Sequence, residues 1–426
     1  MFPLEIWEFI LQYCDPIDLI KYRRVCKSWN YLISRLLQTP GIWFNKCYKE
    51  IPFHIWQTIL EKIYPDRIFK NMTYPSIASD VLYAECNFWD RTTGPIPRNW
   101  KEDELLIDYQ VIANVVRSWY SWRRIECIIP HVHKLRVPWT KIPSRKITCL
   151  ACTGSILAIG TSESEICIHD FVHAAGPPIV LINPTGPLRD IKILMRENIP
   201  QLLTRSNNDD VALLNLEESN AYRKLKGTIM STFYGRYSVC NGKYIYYEHA
   251  DGSTNYESIL LPYDDQFVAM EIDMLKLTVL SAKGSIYLLK NNLCLSTYVR
   301  PPQEKIRNYF MFKSNVIICI TFSGYLGISV NSKPWTLFNV FRCLGGQPTA
   351  VHFYSQLLIL GLDTGEVHLY KVHTPKDLEF MNFDIPSSHK LVLDTEAIIS
   401  VDVMDVAHNH VIFAATSQST YFIQFK

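Results

Sequence analysis

Residues 3–30 read PLEIWEFILQYCDPIDLIKYRRVCKSWN, and the spacing of their apolar side chains predicts three short helices. Pro3 suits the first turn of a helix, because the backbone N–H at that position has no intrahelical acceptor. Asp15-Pro16 predicts the end of this helix and the start of a second one. A third helix runs through Trp29 towards Leu36. A unit of about forty residues buries only part of so many apolar side chains, so we expect a partner to cover the remainder.

The order of these residues resembles the F-box, a three-helix module. The matching residues are Pro3, Glu5-Ile6-Trp7, Asp15-Pro16, Asp18-Leu19 and Val25-Cys26-Lys27-Ser28-Trp29, whereas Phe2 stands where the module has leucine. The resemblance implies an F-box over residues 1–48 that docks on a Skp-type adaptor through aliphatic and aromatic anchors. The residues it implies for this contact are Pro3, Leu4, Ile6, Trp7, Ile10, Leu11, Leu19, Val25, Cys26 and Trp29. Spacing does not separate adaptor contacts from residues that hold the module together. An amphipathic N-terminal helical cap is the alternative interpretation.

The second half of the chain consists of repeated β-type units. They begin near Ile147, Leu188, Thr228, Phe267, Ile306, Pro348 and Ala397, which are 39 to 49 residues apart. This period is typical of four-stranded propeller blades. In the sixth unit, residues 348–354, 356–362 and 365–372 are predicted as the three inner strands and residues 378–385 as the outer strand. Asp363-Thr364-Gly365 predicts the tight turn between the second and third strands.

The seventh unit ends after three strands, at the end of the sequence. Residues 133–139, HKLRVPW, form an unassigned strand of the outer type just before the first unit. Pairing this strand with the last one would complete a seventh blade and leave no open edge in the ring. The sequence therefore predicts seven blades closed by an N-terminal outer strand.

The units resemble degenerate WD-type repeats in period and strand order. Ile168-His169-Asp170 occupies the Trp-Asp position of the first unit and Leu369-Tyr370-Lys371 that of the sixth, while the internal Gly-His pair is absent. The predicted fold class is multidomain, α followed by all-β. It comprises an F-box (1–48), a helical linker or stalk (49–130) and a seven-bladed WD40-like β-propeller (131–426). A two-sheet β-sandwich is the alternative.

Two amphipathic helices are predicted between the F-box and the repeats, at residues 52–65 and 102–124. Arg98-Asn99-Trp100 resembles the Asn-Trp of linkers in F-box proteins that carry propellers, where such helices fix the two domains rigidly. Packing alone is sufficient to explain these helices.

The composition indicates a folded intracellular protein. The 426 residues are 48% hydrophobic and carry a net charge of +2, which disfavours nucleic acid and anionic membranes as partners. The twelve cysteines are scattered, as buried thiols are in a reducing compartment. Cys149 and Cys152 form an isolated C-x-x-C without further ligands, so neither a metal nor a cofactor is expected. We expect no signal peptide or membrane span, and a cytoplasmic or nuclear location.

An F-box followed by a propeller resembles the substrate receptor of an SCF-type ubiquitin ligase. The resemblance implies a non-catalytic subunit that binds a Skp-type adaptor and, through it, cullin and RING subunits. The propeller would hold a client protein, phosphorylated or unphosphorylated, near the ubiquitin donor. Basic residues at the predicted loops that surround the channel are the client-binding candidates: Arg145, Lys146, Arg189, Arg205, Lys283, Lys305 and Arg307.

Three other classes of function are weighed against this interpretation. An enzyme would need paired acids or a His/Asp set at the channel mouth, and no histidine pair shows that spacing in a predicted turn. A nucleic-acid-binding protein would need a basic stripe interleaved with aromatic residues. A scaffold that binds the adaptor without delivering clients to a cullin is indistinguishable from a receptor by sequence.

Overall fold

The computed structural model describes residues 3–39, 42–43, 46, 50–65, 109–137, 145–171, 178–196, 199–216, 222–248, 254–259, 261–262, 264–273, 276–290, 293–313, 315–406 and 409–425. The chain divides into two compact units. The first comprises Met1–Leu60 and Ile68–Ser121, and the second comprises Glu61–Arg67 and Trp122–Lys426.

The first unit is helical. Its three N-terminal helices are α1 (Leu4–Leu11), α2 (Pro16–Tyr22) and α3 (Lys27–Leu36). The Asp15 carboxylate caps α2 by accepting the backbone N–H of Ile17 at 2.8 Å, which explains why Asp-Pro starts this helix. The helices pack around a core of Leu11, Leu19, Leu32, Ile33 and Leu36. The three predicted helices are therefore confirmed.

Two longer helices follow, α4 (Phe53–Ile63) and α5 (Tyr109–Arg123). They confirm the helices predicted near residues 52–65 and 102–124, although residues 98–108 lie outside the described part of the chain. Trp43 is fully buried, donates its indole N–H to the carbonyl of Leu37 at 2.7 Å and lies 5.2 Å beneath the Arg117 guanidinium. The residues after α3 therefore pack with α5.

The second unit is a β-propeller. Within the described residues its strands form seven antiparallel sheets of four strands each. Blade one is β2 (Ile147–Thr153), β3 (Ile156–Thr161), β4 (Glu165–Asp170) and β5 (Ile179–Ile182). Blade two is β6 (Leu188–Arg196), β7 (Ile199–Ser206), β8 (Asp210–Asn215) and β9 (Tyr222–Lys226). Blade three is β10 (Ile229–Phe233), β11 (Arg236–Asn241), β12 (Tyr244–Glu248) and β13 (Thr254–Ser258).

The remaining blades have the same order from inside to outside. Blade four is β14 (Phe267–Ile272), β15 (Leu277–Ser281), β16 (Ser285–Lys290) and β17 (Leu293–Tyr298). Blade five is β18 (Ile306–Phe312), β19 (Val316–Thr321), β20 (Tyr325–Val330) and β21 (Thr336–Asn339). Blade six is β22 (Pro348–Tyr354), β23 (Leu357–Leu362), β24 (Glu366–Lys371) and β25 (His389–Val392). Blade seven is β26 (Ser400–Val406), β27 (Asn409–Ala415), β28 (Thr420–Phe425) and β1 (Pro130–Leu135).

The ring closes through an N-terminal outer strand as the sequence predicts, but this strand is Pro130–Leu135 and so begins three residues before the predicted range of 133–139. The N-terminal strand β1 pairs with the last strand β28, with Val132 opposite Ile423, and becomes the outer strand of blade seven. This pairing covers an edge that would otherwise offer unpaired backbone groups to another chain. The seven-bladed propeller and its closure by an N-terminal outer strand are therefore confirmed.

The outer strand of blade six differs from the prediction. Residues Pro375–Phe380, predicted to enter a strand, form a 3₁₀ turn, and the outer strand is His389–Val392. The turn begins at Pro375 and is held by a capping box between Thr374 and Asp377. This local hydrogen bonding overrides the alternating apolar pattern of residues 378–385. The predicted turn at Asp363–Gly365 is confirmed, and Gly365 has a φ of +78°.

Candidate functional site

The first candidate surface lies on the three N-terminal helices. Ile6, Phe9, Ile10 and Tyr13 recur at i, i+3, i+4 and i+7 along α1 and the turn after it, and all four are exposed. We call them the apolar stripe. Leu11, on the opposite side of the same helix, is buried. Exposed apolar rows of this kind in a small module mark a contact with a partner.

The structure separates the ten predicted adaptor residues into three groups by exposure. Leu11 and Leu19 are buried in the core of the module, at 2% and 0% exposure. Trp7 and Trp29 are half-buried, and their rings lie 5.1 Å apart. The exposed members are Pro3, Leu4, Ile6, Ile10, Val25 and Cys26. A partner can contact only these exposed residues and the exposed parts of the two tryptophan rings. Leu11 and Leu19 instead pack in the core that holds the three helices together.

The sequence interpretation missed two members of the apolar stripe, Phe9 and Tyr13. Their rings lie 5.2 Å apart and are both exposed. Their i, i+4 spacing was a signal that could have identified them, because it continues the row begun by Ile6. Tyr22 and Tyr31 are also exposed on α2 and α3.

The second candidate surface is the edge of the propeller where the inner strands begin and the second strands end. We call this edge the rim. Antiparallel pairing places these two ends together, as Ile306 opposite Thr321 shows in blade five. All seven predicted basic residues lie on the rim, but they differ in exposure and in charged partners.

Four of these basic residues have carboxylates close by. Arg145 is buried and pairs with Glu165 at 2.6 Å, so a client reaches it only by breaking this pair. Arg205 is largely buried between Asp190 and Asp209, at 4.0 Å and 3.6 Å, and burial lowers its pKa. Arg189 lies 3.8 Å from Asp209, and Lys283 pairs with Asp264. Carboxylates therefore compensate much of the positive charge of blades one, two and four.

The other three basic residues are Lys146, Lys305 and Arg307. All three are exposed, and the described residues give them no ion pair. Arg307 occupies a β-bulge between Ile306 and Asn308, and Arg189 occupies the equivalent bulge of blade two. A bulged residue has no direct partner on the neighbouring strand, and bulges redirect side chains at functional edges. Blades two and five therefore present an arginine at the same position in different electrostatic surroundings.

A charged cluster on the inner strands was not anticipated from the sequence. Lys62, near the end of α4, donates to the Asp402 carboxylate at 2.7 Å and to the carbonyl of Cys152 at 2.6 Å. The other Asp402 oxygen accepts the backbone N–H of Cys152 at 2.7 Å. Burial disfavours the charged carboxylate, but Lys62 and these hydrogen bonds hold the pKa of Asp402 below its usual value.

His352 and Glu271 are two further titratable groups on the inner strands. His352 Nε2 lies 3.5 Å from Asp402, and burial lowers the pKa of His352 to about 4, so the imidazole is neutral at pH 7. Burial raises the pKa of Glu271 to about 8. The opposite charges of Lys62 and Asp402 compensate each other and both side chains are hydrogen-bonded. This arrangement indicates an ion pair with a structural role.

Cys149 and Cys152 belong to two different hydrophobic clusters, which follows from their positions on the two faces of β2. Burial raises the pKa of both thiols. Among the residues that the structure describes, no group of three or more His, Cys, Asp or Glu side chains is arranged to hold a metal ion. In the same residues, no helix is long and apolar enough to span a membrane.

Comparison with known families identifies the helical module. The family model of the F-box domain matches residues 1–38, which include α1, α2 and α3. No curated protein matches the chain. F-box domains in general bind Skp-type adaptors, and an F-box combined with a propeller supports a general role in recognising substrates. Residues 1–38 are thus an F-box domain, and the chain continues into a seven-bladed β-propeller.

Proposed function

We propose that this protein is the substrate-recognition subunit of an SCF-type E3 ubiquitin ligase. In this proposal the F-box docks on a Skp-type adaptor, which joins it to cullin and RING subunits. The propeller rim binds a client protein for ubiquitination. The subunit performs no covalent chemistry and acts by proximity, because it raises the effective concentration of the client at the ubiquitin donor. Its place of action is the cytoplasm, the nucleus or both.

The observation that carries the proposal is the exposed apolar stripe together with Val25. These side chains are apolar, and each contributes about 1.5 to 3 kcal/mol when it is fully covered. The core residues Leu11, Leu19 and Ile33 hold the helices that display them. An interface of this type depends on a few aliphatic and aromatic anchors.

The decisive variant places one negative charge in the apolar stripe and another beside α3, as Ile10→Glu together with Val25→Glu. Both positions are exposed, so the F-box should remain folded. Binding of the purified full-length chain to a Skp-type adaptor, measured by calorimetry, should weaken by at least about 100-fold. The matched control is Val392→Glu, which makes the same change at an exposed position of the propeller and should leave the affinity unchanged. Equal binding by the double variant would contradict the proposed contact.

The alternative is a scaffold that binds the adaptor without delivering clients to a cullin. Affinity purification of the tagged full-length chain, followed by mass spectrometry, distinguishes the two functions. Co-purification of adaptor, cullin and RING subunits with the wild type and with the Val392→Glu control supports the ligase subunit. Retention of the adaptor without cullin and RING subunits supports the scaffold.

A further inference from the structure

Three chain segments meet at the rim of blade five. They are the entry to β18 at Lys305–Arg307, the turn Phe322–Gly324 that follows β19, and the short helix α6 (Val340–Leu344) that follows β21. The pairing of Ile306 with Thr321 and of Tyr325 with Asn339 brings these segments to one edge. A Cβ atom on Gly324 would lie 3.2 Å from the Cβ of Phe341, so the turn and α6 are in contact.

Two phenylalanines at this edge remain exposed. Phe322 is 56% exposed at the tip of the turn, and Phe341 is 51% exposed on α6. The Lys305 ammonium lies 5.0 Å from the centre of the Phe322 ring, a cation–π contact. Neighbouring exposed aromatic side chains are typical anchors in protein recognition.

The same edge carries three exposed cations, Lys305, Arg307 and Arg342. The ion pairs of the described residues include none of the three. The neighbouring acid, Glu304, accepts a hydrogen bond from the Ser323 hydroxyl at 2.6 Å. The rim of blade two, in contrast, sets Asp190 and Asp209 against its two arginines. The described ion pairs therefore include both rim arginines of blade two and none of the three cations of blade five.

We propose that the blade-five patch, made of Lys305, Arg307, Phe322, Phe341 and Arg342, binds an unphosphorylated acidic segment of a client that also carries an apolar side chain. The charge complementarity selects carboxylates, and the exposed rings select an apolar side chain between them. Lys305 and Arg307 lie on the entry to β18 and Arg342 lies on α6, with Phe322 on the turn between these segments, which suits several carboxylates along an extended peptide. One phosphate is bound best by donors that converge on it. This inference rests on the proposed function, because it names the chemistry of the client.

The test uses the purified full-length protein and four fluorescent nonapeptides, with binding measured by anisotropy. The acidic–apolar probe is DEFDELEDE. The second probe replaces its two apolar residues with serine, the third carries one phosphoserine in a Gly-Ser background, and the fourth replaces every acid with lysine. We expect the first probe to bind at least about tenfold more tightly than the others, with an affinity that falls as salt is raised. Tighter binding of the phosphoserine peptide, or no preference for the first probe, would overturn the proposal.

Matched variants locate the site. Arg307→Glu and Phe322→Ser should each weaken binding of the acidic–apolar probe by about tenfold or more, because they remove a charge and an anchor. Arg189→Glu is the control, since it makes the same change at the equivalent bulge of blade two, and it should change the affinity by less than about twofold. An equal loss in Arg189→Glu would show a general electrostatic effect of the rim and reject the patch.

Binding of the Skp-type adaptor is measured on the same variants. It should be unchanged, because the patch lies in the propeller and the adaptor contact is proposed for the F-box. If Arg307→Glu and Phe322→Ser lose peptide binding but keep adaptor binding, the loss is due to the patch and not to a damaged F-box. Adaptor binding by the Ile10→Glu/Val25→Glu variant tests the proposed function without involving the patch, so the two proposals can fail separately.

Discussion

The F-box and the propeller treat their apolar side chains in opposite ways. Along α1 the F-box leaves Ile6, Phe9 and Ile10 exposed, and it buries only Leu11. In the propeller the second strands of blades one, five and six are buried at every residue. A ring of seven packed blades has enough neighbours to cover its own strands, whereas three short helices do not. The partner surface proposed for the first unit is therefore marked by an incomplete core, and the one proposed for the second by cations that the described ion pairs do not include.

Ion pairs within the propeller also differ in how far they are buried. Near the inner strands, Lys62 and Asp402 each also form a hydrogen bond with the backbone of Cys152, and each side chain is only 14% exposed. On the rim the pair of Lys283 and Asp264 is open to solvent. The first arrangement should stabilise the fold only while both partners are present, and the second should contribute little.

The largest expected effect is the removal of the buried carboxylate. Asp402→Ala leaves the Lys62 ammonium without its partner and should lower the free energy of unfolding of the propeller by about 3 to 5 kcal/mol. The measurement is the urea transition of the full-length chain, followed by tryptophan fluorescence. Asp264→Ala is the control and should leave the urea transition close to that of the wild type, because the exposed pair contributes little. If the two variants lost similar amounts of unfolding free energy, the proposed difference between the buried pair and the rim pair would be wrong.

The next prediction distinguishes F-box residues that stabilise the fold from those that we expect to contact the adaptor. Leu19→Ala opens a cavity in the core and should destabilise the F-box by about 2 to 5 kcal/mol. Val25→Ala, at an exposed position, should change the stability by less than about 0.5 kcal/mol and yet weaken binding of the Skp-type adaptor. Hydrogen exchange of α1 to α3 in the full-length chain reports the stability, and calorimetry reports the binding. If Val25→Ala destabilised the module as much as Leu19→Ala, the separation of the two groups would be wrong.

The smallest effect concerns pH. The folded pKa of Glu271 is about 8, above its value in the unfolded chain, so the folded state binds the extra proton below about pH 8. The contribution of Glu271 to stability is therefore fully present at low pH and is lost as pH rises towards 8. Glu271→Gln removes this loss and should be more stable than the wild type at pH 8, with a smaller difference at pH 5.

Thermal unfolding of the wild type, Glu271→Gln and the exposed Glu304→Gln at both pH values checks this prediction. The Glu304 variant should stay within about 0.5 kcal/mol of the wild type, as surface substitutions generally do. A Glu271→Gln variant that is less stable than the wild type at pH 8 would show that the carboxylate is charged and stabilising in the fold.

Much of the architecture follows from local patterns. Five of the seven predicted unit starts, for example Ile147 and Phe267, coincide with the first residue of an inner strand. The other two differ by one and three residues, since the strands begin at Ile229 and Ser400. Alternating apolar residues between turn residues identify a strand without reference to distant parts of the chain. The outer strand of blade six was misplaced because the capping box at Thr374 competes with that alternation.

The sites were predicted less completely than the fold. Helical spacing identified the F-box set, but Leu11 and Trp7 share that spacing and differ in burial. Position in a loop identified the basic residues of the rim, but Arg145 is buried against Glu165, twenty residues away. Lys62 could not be assigned to the inner-strand cluster at all, because its partner Asp402 is 340 residues away in the chain.

The amino-acid sequence alone specified three F-box helices, seven repeats and a strand that closes the ring. These features depend on hydrophobic periodicity, turn chemistry and repeat length, which act between residues that are close in the chain. The folded structure was needed to show that Ile10 is exposed while Leu19 is buried, and that Arg205, but not Arg307, has ion-pair partners among the described residues. Burial and charge compensation are set by residues that arrive from distant segments, and their effect on a side chain exists only once those segments have packed together.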